Sequence, residues 1–415
     1  MPSRGGTTHG RSTPRGARRL AAAVTVLVLL VLAGCGGSPS RPAASPSAPS
    51  AGSGIPTTPP PDPEAEAAAA REAQVDAALA GLDRRRQIAQ LFVVGVPAGD
   101  PAPEAVALLR DTGVGGVFLR GRSSLAATDL AAAAASFTGL TPGIRPWVAV
   151  DQEGGNVQTL SGPGFGPLPR AVDQGALPPD QLAGLADGLG ASLASAGINL
   201  DLAPVVDVVP AGTEQRNRPI GYYGRQYGST AAAVVPAAGA VVDGLAAHGV
   251  TSTIKHFPGL GRVEGNTDES SGVTDTVTAA DDEQVAAFGT LAASDAAPFV
   301  MTSSATYALI DPAAPAAFSP VVVTDLLRGQ LGFDGVVISD DLGDARAVQD
   351  LAPGERAVRF LAAGGTLVLT VTPAVLPAMI DAVVARTEAD PAFAARVDDA
   401  VRTALRAKAD RGLLG

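Results

Sequence analysis

The sequence predicts an α/β fold, a single (β/α)8 barrel of the TIM type spanning residues 82–415, and three observations carry that reading. Short β-branched apolar runs alternate with Ala-rich stretches of helical character. Eight such units fit into the chain, the number a closed barrel needs. The runs are almost continuously apolar, as parallel strands covered on both faces must be.

The elements follow in order. Residues 1–34 have the makings of an export signal: Arg4, Arg11, Arg15, Arg18 and Arg19 without an acid, then a 14-residue apolar run over 20–33. That run is too short to cross a bilayer comfortably. It ends in Leu32-Ala33-Gly34-Cys35, and Cys35 is the single cysteine of the chain. This ending resembles a bacterial lipobox, which implies cleavage before Cys35 and lipidation of its sulfur. An Arg18-Arg19 pair leaves both general and twin-arginine export open. Residues 36–63 hold nine prolines among Ser and Ala. They are expected to form a disordered tether, with a reach of up to ~90 Å at about 3.1 Å per residue in polyproline II form. An Ala/Glu helix is expected at 64–80, completing a 35–81 segment ahead of the barrel.

Barrel strands are expected at 88–96, 114–119, 147–150, 198–206, 251–257, 299–303, 335–339 and 366–371. A doubly wound open sheet is the alternative, but the glycine clusters at 113–116 and 162–166 do not support it. The first precedes a strand and the second opens no helix, so neither is a dinucleotide-binding turn.

Composition narrows the function. With 41 Asp+Glu against 30 Lys+Arg the formal charge is −11, unlike the basic surfaces that hold nucleic acid. Signal cleavage would remove five arginines and no acid, making the mature chain more acidic still, so a membrane association would rest on the lipid. One cysteine allows neither an intrachain disulfide nor a Cys-based zinc site.

In a barrel the chemistry gathers where strands end. Here those ends are polar: Asp151-Gln152-Glu153-Gly154-Gly155, Asp201 and Asp207, Lys255-His256, Ser303-Ser304, and Asp340-Asp341. Any single Asp or Ser there can be a helix cap. Five strand ends on one rim point instead to a shared site. Lys255 stands out because the chain holds only two lysines, the other being Lys408, against 28 arginines. A lysine ammonium is a compact donor that arginine does not replace in a tight site.

Three motifs carry a family resemblance: Asp151-Gln152-Glu153-Gly154-Gly155, Lys255-His256-Phe257-Pro258-Gly259 and Ser339-Asp340-Asp341-Leu342. In order and spacing they resemble family 3 glycoside hydrolases, most closely the bacterial β-N-acetylglucosaminidases that act on peptidoglycan fragments. The segment Ile220-Gly221 with Arg225-Gln226-Tyr227-Gly228 is similar to that family's sugar-binding arginine loop. The resemblance implies that Asp340 is the nucleophile and that Asp151, Arg225, Lys255 and His256 grip the sugar hydroxyls, with no metal or other cofactor. It implies an exo-acting, retaining enzyme that trims terminal β-linked GlcNAc from muropeptides. With the lipid on Cys35, the enzyme would sit on the outer face of the cytoplasmic membrane.

Two positions depart from the pattern. Relatives carry an acid/base His, held by an Asp, on the loop after the Lys-His motif. Here Asp268 stands at the Asp position and Ser270 where the His should be. The three histidines leave no substitute, since His9 lies in the signal, His248 precedes a strand, and His256 is assigned to the sugar. A serine hydroxyl does not donate protons near neutral pH. The role is therefore expected at Asp268, ahead of Glu269 and Glu264. Asn156 stands where relatives usually have Arg. The alternative function is a sugar-binding lipoprotein with little turnover; a solute-binding lipoprotein is disfavoured by the single-barrel pattern and the Ser-Asp-Asp motif.

Overall fold

The computed structural model describes residues 63–415. The expected signal, Cys35 and the expected tether up to residue 62 lie outside the described residues.

Eight parallel strands form one sheet in which each of the first seven neighbours the next in sequence and the eighth lies beside the first. They are β1 (Phe92–Pro97), β2 (Gly116–Arg120), β3 (Trp147–Val150), β4 (Leu200–Asp201), β5 (Thr251–Phe257), β6 (Phe299–Thr302), β7 (Val337–Ser339) and β8 (Val368–Thr370). β8 pairs with β1 in register Phe92–Val368. At the remaining seam, a parallel bridge Ile338–Leu367 brings β7 to β8, so the sheet curls into the predicted barrel. Each strand is followed by a covering helical segment. The one after β6, Val321–Gln330, is wound as a π-helix, with the Leu331 N–H reaching back to the Leu326 carbonyl.

All eight expected strands are present; two match their expected limits, four differ by one or two residues at an end, and β1 and β4 differ by more. Residues 88 and 89 were expected to open β1 but close a helix instead, Arg84–Ala89. Its N-cap is Asp83, whose carboxylate accepts the Arg86 N–H, and that cap commits the following turn to helix. Over 198–206 only Leu200 and Asp201 pair as a regular strand. Pro204 has no N–H for the ladder, and beyond it contact with β5 is reduced to a Val205–Lys255 bridge.

The helix expected at 64–80 is α1 (Pro63–Ala80). It packs against the last helix, Pro391–Asp410, burying Val75 and pairing Glu72 with Arg406 and Asp76 with Arg402. The core is the usual double layer, with side chains filling the barrel and apolar helix faces outside it.

Candidate active site

The expected site residues come together at the carboxyl end of the barrel, around a cavity of about 350 Å³. Asp151, Arg225, Lys255, His256, Asp268 and Asp340 all line it. A wider groove, about 950 Å³, lies at the opposite end, where β5 and β6 begin. That end of a barrel belongs to stability rather than chemistry.

One wall is a buried charge network. Lys255 Nζ, at the end of β5, lies 2.8 Å from Asp151 Oδ1 and 2.7 Å from Glu153 Oε1. Glu153 also takes the Arg225 guanidinium in a two-bond fork, Nη2 to Oε1 at 2.7 Å and Nε to Oε2 at 2.8 Å. Burial alone would raise the Glu153 carboxyl, but Arg225 and Lys255 outweigh it and hold the group down at about 2. Burial likewise works against the Lys255 charge, and Asp151 and Glu153 reverse that, so the ammonium keeps its proton. Two cations and two carboxylates thus neutralise one another while Asp151 and Arg225 stay open to the cavity.

The backbone that aims these groups is tightly constrained. After β3 the chain turns through Gly154 with φ +102°, where a Cβ would approach the Pro169 carbonyl to 2.2 Å. Only glycine fits, which explains the Glu-Gly-Gly sequence. Asp201, wholly buried at the end of β4, accepts the Gln152 N–H at 3.0 Å and so fixes the peptide after Asp151. Its second oxygen has no hydrogen-bond partner. Burial raises this carboxyl to about 8, against the lowering pull of the Gln152 N–H and Lys255, which favours its neutral form.

His256 is held by Asp207, which accepts its Nδ1–H at 2.7 Å and the backbone N–H groups of His256 and Leu260. The Asp207 carboxylate fixes the ring's tautomer by being an acceptor only. The Lys255–His256 peptide is cis, and both side chains line the cavity.

The facing wall is acidic. Asp340 follows β7, with its N–H on the Thr302 carbonyl of β6 at 3.2 Å. Asp341 is spent on the scaffold, accepting the N–H groups of Gly343, Asp344, Ala345 and Val371. The loop after β5 reaches over to this side: the Arg346 and Ala347 N–H groups bond to the Asp268 and Thr267 carbonyls. This puts Asp268 at the mouth, beside Asp340. Its carboxyl keeps access to solvent. Crowding by the surrounding wall, with the Asp340 charge next in weight, still raises it to about 6. Glu264, Glu269 and Ser270 sit on the same loop but do not line the cavity. Among the described residues, no group of three or more His, Cys, Asp or Glu side chains is arranged to hold a metal ion.

Residues 84–407 match the glycosyl hydrolase family 3 N-terminal domain. The chain belongs to that family. It is 34% identical over 309 residues to a β-hexosaminidase of Mycobacterium tuberculosis, LpqI, covering 72% of this chain and 76% of the relative. A β-hexosaminidase of Stenotrophomonas maltophilia is 32% identical over 315 residues, covering 72% and 88%. Among solved structures, a β-N-acetylhexosaminidase from Beutenbergia cavernae superposes with a TM-score of 0.75 at 49% identity, covering 79% of this chain and 98% of that one. This family 3 barrel is accordingly a glycoside hydrolase by descent.

Sequence reasoning passed over two members of the site. Glu153 lies inside a motif it recognised, and Asp207 lies on a strand end it noted, but neither was given a role. Each serves another side chain, Glu153 between Arg225 and Lys255 and Asp207 under His256, and a pairing between separate strands leaves no trace in one sequence. Asn156 is exposed on the small hairpin after β3, and Arg122 donates to its carbonyl.

Proposed function

We propose that this chain is an exo-acting, retaining β-N-acetylglucosaminidase that removes terminal β-linked GlcNAc from peptidoglycan fragments, with Asp340 as nucleophile and Asp268 as acid/base. The observation that carries the proposal is the pairing of these carboxyls at one cavity. One is an acid raised to about 6; the other faces the same space from β7. Asp151, Arg225, Lys255 and His256 supply donors and acceptors to orient the sugar hydroxyls. The hexosaminidase names of the relatives support the N-acetyl sugar.

In the first step an Asp340 oxygen attacks the anomeric carbon. The C–O bond to the aglycone breaks, and its oxygen takes the Asp268 proton, leaving a glycosyl ester on Asp340. Esterification removes the Asp340 charge, and with it one reason for the raised Asp268 pKa. Asp268, its pKa lowered, stays ionised and so is free to accept the proton in the second step. It takes a proton from water, whose oxygen attacks the anomeric carbon and frees Asp340. Two inversions return the β-anomer. Lipidation of Cys35 would place the reaction at the outer face of the cytoplasmic membrane.

The purified full chain, given GlcNAc-β-1,4-MurNAc and followed by proton NMR, should release β-GlcNAc that mutarotates afterwards. Initial α-GlcNAc would refute retention. The absence of Ser270 from the cavity and of a histidine from its loop favours one competing reading, sugar binding with little turnover. An activated aryl glycoside, which needs no proton, would then give a burst of aryl alcohol followed by slow release, and the disaccharide would stay intact.

A further inference from the structure

Two loops from neighbouring strands contribute to the cavity. The one after β4 brings Pro219 and Arg225, and the one after β5 brings Leu260, Asn266, Thr267 and Asp268. They meet at the side chain of Asn217, which is 2% exposed and does not itself line the cavity.

Both hydrogens of the Asn217 amide go to the second loop. Nδ2 donates to the Leu260 carbonyl and to the Val263 carbonyl, each at 2.7 Å. Its Oδ1 turns back to its own loop and accepts the Gly221 N–H at 2.6 Å. The Asn217 carbonyl accepts the Tyr222 N–H at 2.9 Å, which closes the same turn. Asparagine suits the place because one flat group offers two donors and an acceptor at once. An apolar residue there would leave two carbonyls and one N–H unpaired in a buried setting.

Each end of this link leads to a group that faces the sugar. On one side, the turn shaped by Asn217 presents the Pro219 carbonyl, to which Arg225 Nη1 donates at 2.8 Å. The turn thereby helps to set the guanidinium that also holds Glu153. On the other side, Leu260 is fixed at its N–H by Asp207, the carboxylate under His256. Asn217 fixes the Leu260 carbonyl and then that of Val263, upstream of Asp268. The adjacent Arg218 N–H adds the Glu264 carbonyl at 3.3 Å. The far limb of the loop is held separately, with the Thr267 and Asp268 carbonyls on the N–H groups of Ala347 and Arg346.

We propose that Asn217 is a positioning residue that sets the Asp268 loop against the Arg225 turn, and so holds the proton donor in register with the bound sugar. The proposal rests on the assignment of Asp268 given above. A shift of about 1 Å in a catalytic group can cost roughly 10²-fold, so a tie outside the cavity can govern a step inside it. The step governed here is protonation of the leaving oxygen, because Asp340 follows β7 and belongs to neither loop.

The test uses Asn217→Asp in the full chain. This variant keeps an oxygen for the Gly221 N–H but sets a second oxygen against the Leu260 and Val263 carbonyls. On GlcNAc-β-1,4-MurNAc, kcat/KM should fall roughly 10- to 100-fold. On a dinitrophenyl N-acetylglucosaminide, which needs no proton, the loss should be several-fold smaller. Hydrogen–deuterium exchange, read by peptide mass spectrometry, should accelerate over 260–268. If Asn217→Asp does not fold, Asn217→Ala adds no charge and decides by the same two readouts, with an added loss common to both substrates. Equal losses on both substrates would mean a purely structural role and would overturn the proposal, as would unchanged exchange over 260–268. Asp268→Ala, run alongside, separates the two readings. A selective loss in Asn217→Asp without one in Asp268→Ala would keep the positioning role and remove Asp268 as the donor. A selective loss in neither would overturn both.

Discussion

The loop after β5 carries no histidine, and Asp268, the loop acid at the cavity, is the proton donor we propose. Asp268→Ala should lower kcat/KM by roughly 10²- to 10⁴-fold on disaccharides and far less on dinitrophenyl glycosides. Added azide should restore turnover of the aryl substrate as a glycosyl azide. Equal losses on both, with no azide rescue, would exclude Asp268 and leave His256, oriented by Asp207, as the next group to test. Wild-type kcat/KM on poor leaving groups should fall as the pH rises through about 6, because Asp268 then loses its proton. Asp201 makes a second, separable prediction. Its carboxyl is raised from 3.8 to about 8 on folding, so between those values the folded chain binds more protons than the unfolded one. Its contribution to stability is complete below pH 4 and is lost progressively up to pH 8. Asp201→Asn keeps an acceptor for the Gln152 N–H and cannot ionise. Its thermal midpoint should fall less than that of the wild type between pH 4 and 8, and parallel curves would show that Asp201 is ionised in the fold. Asp340, Lys255, His256 and Asp151 were legible because each stands in a motif at a strand end. The rarity of lysine was a less selective guide, since it marks Lys408 equally. That ammonium is buried at the far end of the barrel, donates to Gln90 and is lowered to about 7 by burial, a structural role.

At the scale of elements, parallel strands announce themselves by apolar runs, and all eight were found from that signal alone. Their ends were harder to read, because an apolar pair such as Ile88-Ala89 is equally at home on the buried face of a helix. What decided it was the cap at Asp83, a local hydrogen bond that hydropathy does not record. The Ala/Glu stretch at 64–80 was legible as a helix but not as a partner of the last one. Its ion pairs run to Arg402 and Arg406, more than 300 positions away. Those surface pairs contribute little by themselves. The apolar seam at Val75 contributes more, and Val75→Asp would bury a carboxylate without a partner at a cost of about 3 kcal/mol. The thermal midpoint should drop by several degrees with KM on an aryl glycoside unchanged. An unaltered midpoint would mean that α1 does not stabilise the barrel.

For the whole molecule, eight strand–helix units and polar strand ends were enough to point to a barrel with its site on the carboxyl rim. What composition could not show was which rim residues face one another, since that depends on how the barrel closes. The expected export signal and Cys35 lie outside the described residues, and the proposed lipid anchor can be tested separately. Cys35→Ala should move the protein from the membrane pellet to the soluble fraction without changing its activity per folded molecule; retention in the pellet would contradict lipid anchoring. The proposed mechanism depends on a covalent bond to Asp340. A 5-fluoro analogue of the N-acetylglucosaminide slows both steps, and with a good leaving group it lets the glycosyl-enzyme accumulate. Peptide mass spectrometry of the wild type should then place the added mass on Asp340, and Asp340→Asn, expected to lose roughly 10³-fold or more in kcat, should carry no label. A label on another carboxylate, or stoichiometric turnover through an unlabelled enzyme, would contradict the account.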